Sequence, residues 1–205
     1  MLLKVNPNRM ELIRLKKRLI VAKRGYKLLK DKRDALIQVF VRLAKESNMI
    51  REELEENLLK CYAIFSNTSS LMSKLALEET LMLPKAKSEA EVSFKNVMSV
   101  NVPQYKLKCE GRYYSYGLID TTAELDSALK KYHEILPLML RVAELDKSIT
   151  LLANEIEKTR RRVNALEYVI IPDLEETIKF ITMKLDEMAR SSTSAIMRIK
   201  EIIRA

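Results

Sequence analysis

The chain has 205 residues and little of what catalytic folds are usually built from. Only 3 residues are glycine and 5 are proline. Open α/β sheets and loop-rich enzymes need glycine at tight turns and phosphate loops, so this scarcity argues against both. One histidine, His133, and two cysteines, Cys61 and Cys109, cannot supply the usual four ligands of a structural zinc site. There is no GxxxxGK[ST] loop, no HExxH and no GxSxG, so the common nucleotide, zinc-protease and serine-hydrolase sites are missing. His133 is the only imidazole that could activate a nucleophile, and it is read as a helix-surface or seam residue. The longest stretch without Asp, Glu, Lys or Arg runs from Cys61 to Ser73, too short and too polar to span a bilayer, so a soluble chain is expected. Two isolated cysteines and no evident leader predict a reducing compartment. No cofactor and no catalytic residue is expected.

What is present is the composition of long helices: 32% charged and 47% hydrophobic residues, rich in Leu, Ile, Ala, Glu, Lys and Arg. The net charge of +9 is unevenly spread. Residues 1–45 hold 14 Lys or Arg against Glu11, Asp31 and Asp34, a net +11. The last segment is basic again, with Arg190, Arg198, Lys200 and Arg204 against Glu201. If the two ends lie side by side they form a basic tip, built from Arg9, Arg14, Lys16, Lys17, Arg18, Lys23, Arg24, Arg198, Lys200 and Arg204. Such a tip suits nucleic acid, an anionic membrane or an acidic protein surface, when it is more than a solvated charged face.

From Leu12 onward apolar residues recur at alternating steps of three and four. The series passes through Leu15, Leu19, Leu29, Leu36, Phe40, Leu54 and Cys61 to Leu75. Of its 20 positions from 12 to 78, 15 are apolar; the exceptions are Arg33, Ser47, Asn57, Thr68 and Glu78. A period of 3.5 held this long predicts a left-handed coiled coil. The C-terminal half repeats the pattern in two runs. One includes Ile149, Ile156, Val163, Leu166 and Ile170; the other includes Leu174, Ile178, Ile181, Leu185, Met188, Ile199 and Ile202. The runs are out of phase by one residue, and the slip falls at Pro172, where a bend is predicted, with a second bend near Pro137.

The pattern therefore predicts a helix over 8–83, a linker and β-hairpin insert over 84–120, and a helix over 121–203. Each helix would measure about 100–120 Å at 1.5 Å per residue. In the insert, Tyr105–Cys109, Gly111 and Tyr113–Gly117 read as a short aromatic hairpin, interrupted upstream by Pro103. Thr121 and Glu124 have the spacing of a capping box. The fold class is all-α dominated: one elongated domain, a long antiparallel two-helix left-handed coiled coil with a small β-hairpin between its helices. Glu52–Glu53, Glu55–Glu56 and Glu175–Glu176 read as members of i,i+4 ion pairs rather than an acid–base couple. Gly25 stands inside a strong helix at a cost of about 1 kcal/mol against Ala, which marks either a tolerated glycine or a close approach by another backbone. Arg160, Arg161 and Arg162 are a surface network or a partner-binding patch.

Two blocks carry a resemblance. The first is Asn6-Pro7-Asn8-Arg9-Met10-Glu11-Leu12, running through Leu15-Lys16-Lys17-Arg18-Leu19 into Ala22-Lys23-Arg24-Gly25-Tyr26-Lys27-Leu28-Leu29-Lys30-Asp31-Lys32-Arg33-Asp34. The second runs from Glu155-Ile156-Glu157 through Arg160-Arg161-Arg162-Val163-Asn164-Ala165-Leu166-Glu167-Tyr168 to Ile171-Pro172. Together they resemble the D subunit of the vacuolar/archaeal-type rotary ATPases, in the form that bacteria and archaea carry; residues 85–118 match only loosely. The resemblance implies a non-catalytic central rotor stalk on the cytoplasmic side of the membrane, peripheral and not itself inserted. It implies that the paired terminal helices enter a hexameric head of catalytic and non-catalytic subunits. It also implies a small side partner (the F subunit), a socket subunit on the membrane ring, and no nucleic acid. Two rival readings are a nucleic-acid-binding coiled coil, supported by the basic N-terminal region, and a homodimeric scaffold.

Overall fold

The computed structural model describes residues 5–82, 85–112, 114–117 and 121–204. Helix α1 spans Arg9–Leu71 and the short helix α2 spans Lys74–Leu81. Strands β1 (Lys87–Val97) and β2 (Val100–Glu110) follow, then α3 (Ala123–Ala165) and α4 (Ile171–Arg204). Between α3 and α4 lies one π-helical stretch, Leu166–Ile170. The chain divides into two compact units, Leu36–Glu155 and Met1–Ala35 with Ile156–Ala205.

In the unit Leu36–Glu155, α1 and α3 run antiparallel. Ser47 Oγ donates to Asp146 at 3.1 Å, while farther along α1 the Cys61 thiol lies 4.0 Å from the Ala128 carbonyl. The core joins Leu54, Cys61, Ile135 and Val142, flanked by Ile50, Leu58, Tyr132 and Leu138. Phe65 meets Tyr132 edge to face at 6.3 Å. In the unit of the two chain ends, Leu15 packs with Leu174 and Ile181, flanked by Leu12, Leu19, Ala22, Ile178 and Leu185. Lys23 bridges to Glu175 at 2.6 Å beside this core. Leu36, Leu152, Leu174 and Ile181 are fully buried or nearly so. Burying each such side chain contributes about 1.5–3 kcal/mol, which long two-helix pairs need because they have no other core. Among the predicted seam residues, Leu15, Leu36, Val163 and Ile181 are buried, and Leu12, Leu19, Leu29, Phe40, Ile156, Leu166, Ile178 and Leu185 are half-buried.

The polar seam positions are accommodated locally. Thr68 Oγ1 donates to the Ile64 carbonyl at 3.0 Å, and off the predicted seam the buried Thr177 Oγ1 donates to that of Asp173 at 2.6 Å. Asp146 takes Ser47 and, at 2.8 Å, Arg51. Arg33 turns both Nε and Nη2 onto Asp34 of its own helix, at 2.9 and 2.8 Å.

The apolar series reaches Leu75, but α1 stops at Leu71. Ser69, Ser70 and Ser73 cluster there. Ser70 Oγ bonds to the Asn67 carbonyl, and Ser73, in extended backbone, caps α2 by accepting the Ala76 amide at 3.3 Å. Such short hydroxyl side chains compete with the backbone and break helices. Leu71 and Leu75 are 65% and 70% exposed, so the seam ends with the helix.

The phase slip at Pro172 has a concrete form. The Ile171 amide bonds back to the Leu166 carbonyl, the i to i−5 bond of a π turn. One extra residue in one turn shifts every later apolar position by one, and Pro172 has no amide to restore the α pattern. Pro137 sits inside α3.

The hairpin is not where the aromatic residues placed it. Its turn is Met98–Ser99, with Val97 opposite Val100 and Lys87 opposite Glu110. Both turn residues take the left-handed region, φ 50° and 71°, as two-residue hairpin turns require. Neither is Gly or Asn, so the turn carried no signal. Asn96 supplies it instead: its Oδ1 accepts the Ser99 amide at 3.0 Å, and its Nδ2 donates to Asn101 Oδ1 at 3.1 Å. Pro103 lies within β2, which a two-stranded ladder tolerates because one edge of each strand has no ladder bonds. The predicted capping box does not form either. Thr121 Oγ1 turns to the Gly117 carbonyl, and the first turn of α3 is anchored by the Leu125 amide on the Thr122 carbonyl.

Candidate functional site

Helix α4 contains two different stretches. Up to Leu185 it is packed; from Asp186 to Arg204 every residue is exposed. That exposed end is strongly two-faced. At 100° per residue, Met188, Ala189, Ala195, Ile196, Ile199, Ile202 and Ile203 fall within an arc of about 140°. Arg190, Arg198, Lys200, Glu201 and Arg204 fall on the other side. Ile196, Ile202 and Ile203 are 65%, 75% and 79% exposed. An apolar stripe of this width is what a helix ordinarily buries, so this end is built to be covered.

The basic set splits in two. Arg9, Arg14, Lys16, Lys17, Arg18, Lys23 and Arg24 lie on the first turns of α1, all exposed. Arg14 pairs with Glu11 at 3.4 Å and Lys23 with Glu175. Arg198, Lys200 and Arg204 sit 13 or more residues past Leu185, on the charged side of the bare helix end, about 20 Å further along α4. The apolar period runs through Leu185 to Met188, breaks at Ser192 and resumes at Ala195, Ile199 and Ile202, so the resumed stripe keeps the spacing of a packed seam without being packed.

Arg160, Arg161 and Arg162 are exposed on the last turns of α3, with Arg161 paired to Glu157. Sequence reasoning missed the turn beyond them. The π turn presents Tyr168, Val169 and Ile170 to solvent, 72%, 54% and 40% exposed, shortly after the arginine triplet. The slip in apolar phase was the available signal, since it displaces one turn from the seam.

In the other unit, Arg141 bridges Glu46 of α1 and Glu144 of its own helix, both at 2.7 Å. Glu144 in turn accepts the Tyr105 amide of β2 at 3.2 Å, which ties the hairpin to α3. The Tyr116 hydroxyl donates to Asp126 near the start of α3. Partial burial, that hydrogen bond and the Asp126 charge push the Tyr116 hydroxyl well above the usual phenol range. Burial pushes the Cys61 thiol up, against the pull of Lys131 and with the help of Glu134. Cys109 is exposed on β2 beside Ser88. His133 is exposed on α3.

None of this assembles a reaction centre. Among the described residues no group of His, Cys, Asp and Glu has the arrangement of a metal site. Among them too, no helix is long and apolar enough to cross a membrane. The prominent features are the exposed apolar stripe of α4, the basic residues of α1 and the exposed π turn.

The family model for the ATP synthase D subunit matches residues 11–201. The chain is 52% identical over 201 residues to a V-type ATP synthase D subunit from Thermoanaerobacter sp. (strain X514), covering 97% of this chain and 96% of the relative. It is 51% identical over 206 residues to the protein of that name from Clostridium novyi (strain NT), covering 98% and 95%. It is 49% identical over 204 residues to the one from Fusobacterium nucleatum subsp. nucleatum, covering 98% and 97%.

Proposed function

Because the chain belongs to the ATP synthase D-subunit family, we propose that it is the central rotor stalk of a V-type ATP synthase, carrying torque between a catalytic head and a membrane ring. It is a non-catalytic subunit. ATP is made or hydrolysed in the head, and ions cross in the membrane ring. The protein is peripheral, on the cytoplasmic face.

The observation that carries this reading is the two-part construction of α4. Its first part is packed against α1, with Leu174 and Ile181 in an apolar core. Close-packed side chains resist relative sliding, so this part suits transmission of a twist. Its last nineteen residues, Asp186 to Arg204, are all exposed among the described residues and keep an apolar stripe. Inserted into the bore of a hexameric head, that stripe would make dispersion and hydrophobic contacts, which are non-directional. Non-directional contacts hold a shaft on axis while letting it turn; a ring of specific ion pairs would grip one orientation. The basic residues of α1 supply the complementary element, an asymmetric charge that favours different head-site conformations in turn. Coupling requires that the orientations differ in contact energy from one site state to the next.

The remaining partners are matched by the remaining surfaces. Arg160–Arg162 with the exposed π turn offer a lateral seat for the small F subunit of the stalk. The end carrying α2, with Leu71, Leu75 and Met82 exposed, suits the socket subunit of the membrane ring.

The test is a pull-down of the tagged chain from its own cells, with mass spectrometry of the co-purifying proteins. The reading expects the head subunits, a small side subunit and ring components. Recovery of nucleic acid, or of the chain alone, under conditions that keep such complexes intact, would defeat it.

A further inference from the structure

Gly25 lies inside α1, far from either helix end, yet a methyl group added there would meet nothing within 4 Å. Among the described residues no contact requires glycine at this position. Glycine is the weakest helix former after proline, so the residue weakens its own helix with no return inside the molecule. Around it the exposed face is unusual. Val21, four residues before, is 68% exposed, and Leu28, three residues after, is 70% exposed. Residues spaced i, i+4, i+7 share one helix face, so the two exposed apolar side chains flank a gap left by the half-buried Gly25, which has no side chain to fill it. Toward the helix start the same face carries Arg14, Lys17 and Arg18, all exposed.

We propose that Val21, Gly25 and Leu28 form a notch that receives the backbone of an acidic segment of the head, with carboxylates of that segment facing Arg14, Lys17 and Arg18. The notch rests on the stalk reading for the source of the segment and goes further in naming the contact. Glycine is the residue that lets another backbone approach closely, and apolar flanks fix such an approach by burial. The basic run above it selects acidic partners and speeds their encounter. Nucleic acid fits less well, because two exposed aliphatic side chains interrupt the basic line where phosphates would lie. The nearest ring for base stacking, Tyr26, is half-buried on the seam.

The test compares wild type, Gly25→Ala and Gly25→Leu as full-length chains. One measurement is thermal unfolding of the isolated chain; the other is affinity for the head hexamer assembled without this subunit. In the isolated chain both variants melt at or above the wild-type temperature, because space is free and helix propensity improves. Head affinity moves the opposite way, falling about tenfold for Gly25→Ala and about a hundredfold for Gly25→Leu, the range expected when a tight contact is overfilled. Head affinity within about twofold of wild type for both variants would overturn the notch while leaving the stalk reading intact. A wild-type chain that fails to bind the head would overturn both. Tighter binding of wild type to duplex DNA than to the head, lost in Gly25→Ala, would overturn the protein-segment assignment.

Discussion

Two stretches of this molecule carry the same apolar period and meet opposite fates. Along α1 every seam position from Leu12 to Thr68 is at least half-buried, including the polar Ser47 and Thr68. Along the end of α4, Met188, Ala195, Ile199 and Ile202 keep the period and are all exposed. A hydrophobic period therefore announces a partner without saying which chain supplies it. In the first stretch the partner is the returning half of the same chain. In the second, on the stalk reading, it is the head.

Truncating both stretches equally puts this contrast at greatest risk. Leu36→Ala, at a fully buried position, is expected to lower stability by about 2–5 kcal/mol in chemical denaturation. Ile199→Ala in the bare end is expected to change it by less than about 0.5 kcal/mol. Equal losses would mean that the end of α4 is packed in the free chain. The complementary experiment reverses the ranking: Ile199→Asp with Ile202→Asp leaves the isolated chain as stable as wild type but abolishes assembly with the head, read by size-exclusion chromatography of the mixture.

Charge offers a second contrast, because the stalk reading assigns the basic residues of α1 to the head, while the ion pairs of the other unit join its own helices. Lys16→Glu, Lys17→Glu and Arg18→Glu together should barely change melting, since all three are exposed, yet weaken assembly or uncouple transport from hydrolysis. Unchanged assembly with unchanged coupled transport would rule out a coupling role for the basic face. Asp146→Ala instead strands Ser47, which is buried, and releases Arg51, for an expected loss of about 1–2 kcal/mol of stability.

The hairpin gives a smaller, local effect. Gly111 has φ +97°, and a Cβ there would stand 2.5 Å from the Lys85 carbonyl oxygen. Gly111→Ala should therefore open the base of the hairpin, seen as faster amide exchange across residues 87–110, while the cores of Leu54 and of Leu174 keep their protection. Slow exchange throughout the hairpin would contradict that.

Smallest is the response to alkali. The Cys61, Tyr132 and Tyr116 side chains all have folded-state pKa values raised above their ordinary ones, chiefly by burial. Raised values mean that the folded chain holds protons that the unfolded chain gives up. Their contribution is thus fully present below about pH 8.5 and declines as pH rises through the ordinary thiol and phenol range. A melting temperature that climbs between about pH 8 and 10 would contradict this. At neutral pH the exposed Cys109 should react with a maleimide at once and Cys61 only on unfolding.

Much of the fold was legible because helix pairing is written in spacing. The seam from Leu12 to Thr68 corresponds to packed structure, and the one-residue slip before Leu174 to the solvent-facing π turn Leu166–Ile170. The hairpin was less legible, because Met98–Ser99 is held in its turn by Asn96 rather than by its own residue types. The break at Met72–Ser73 depends on a serine cap overruling a continuing apolar series. Of the candidate site, the basic face of α1 could be read from charge alone. The bare end of α4 could not be read in full: Ser192 breaks the seam there, but Ala195, Ile199 and Ile202 resume its spacing, and that spacing does not distinguish a helix covered by its own chain from one left exposed.

The stalk reading can be tested directly, because the exposed Cys109 offers a handle. A bead attached through Cys109, with Cys61 shielded by burial, can be followed on single complexes of the chain with a surface-fixed head. The stalk reading predicts that the bead revolves in one direction when ATP is supplied, at a rate that tracks hydrolysis. Complexes that hydrolyse ATP under the same conditions while their beads stay still would contradict it.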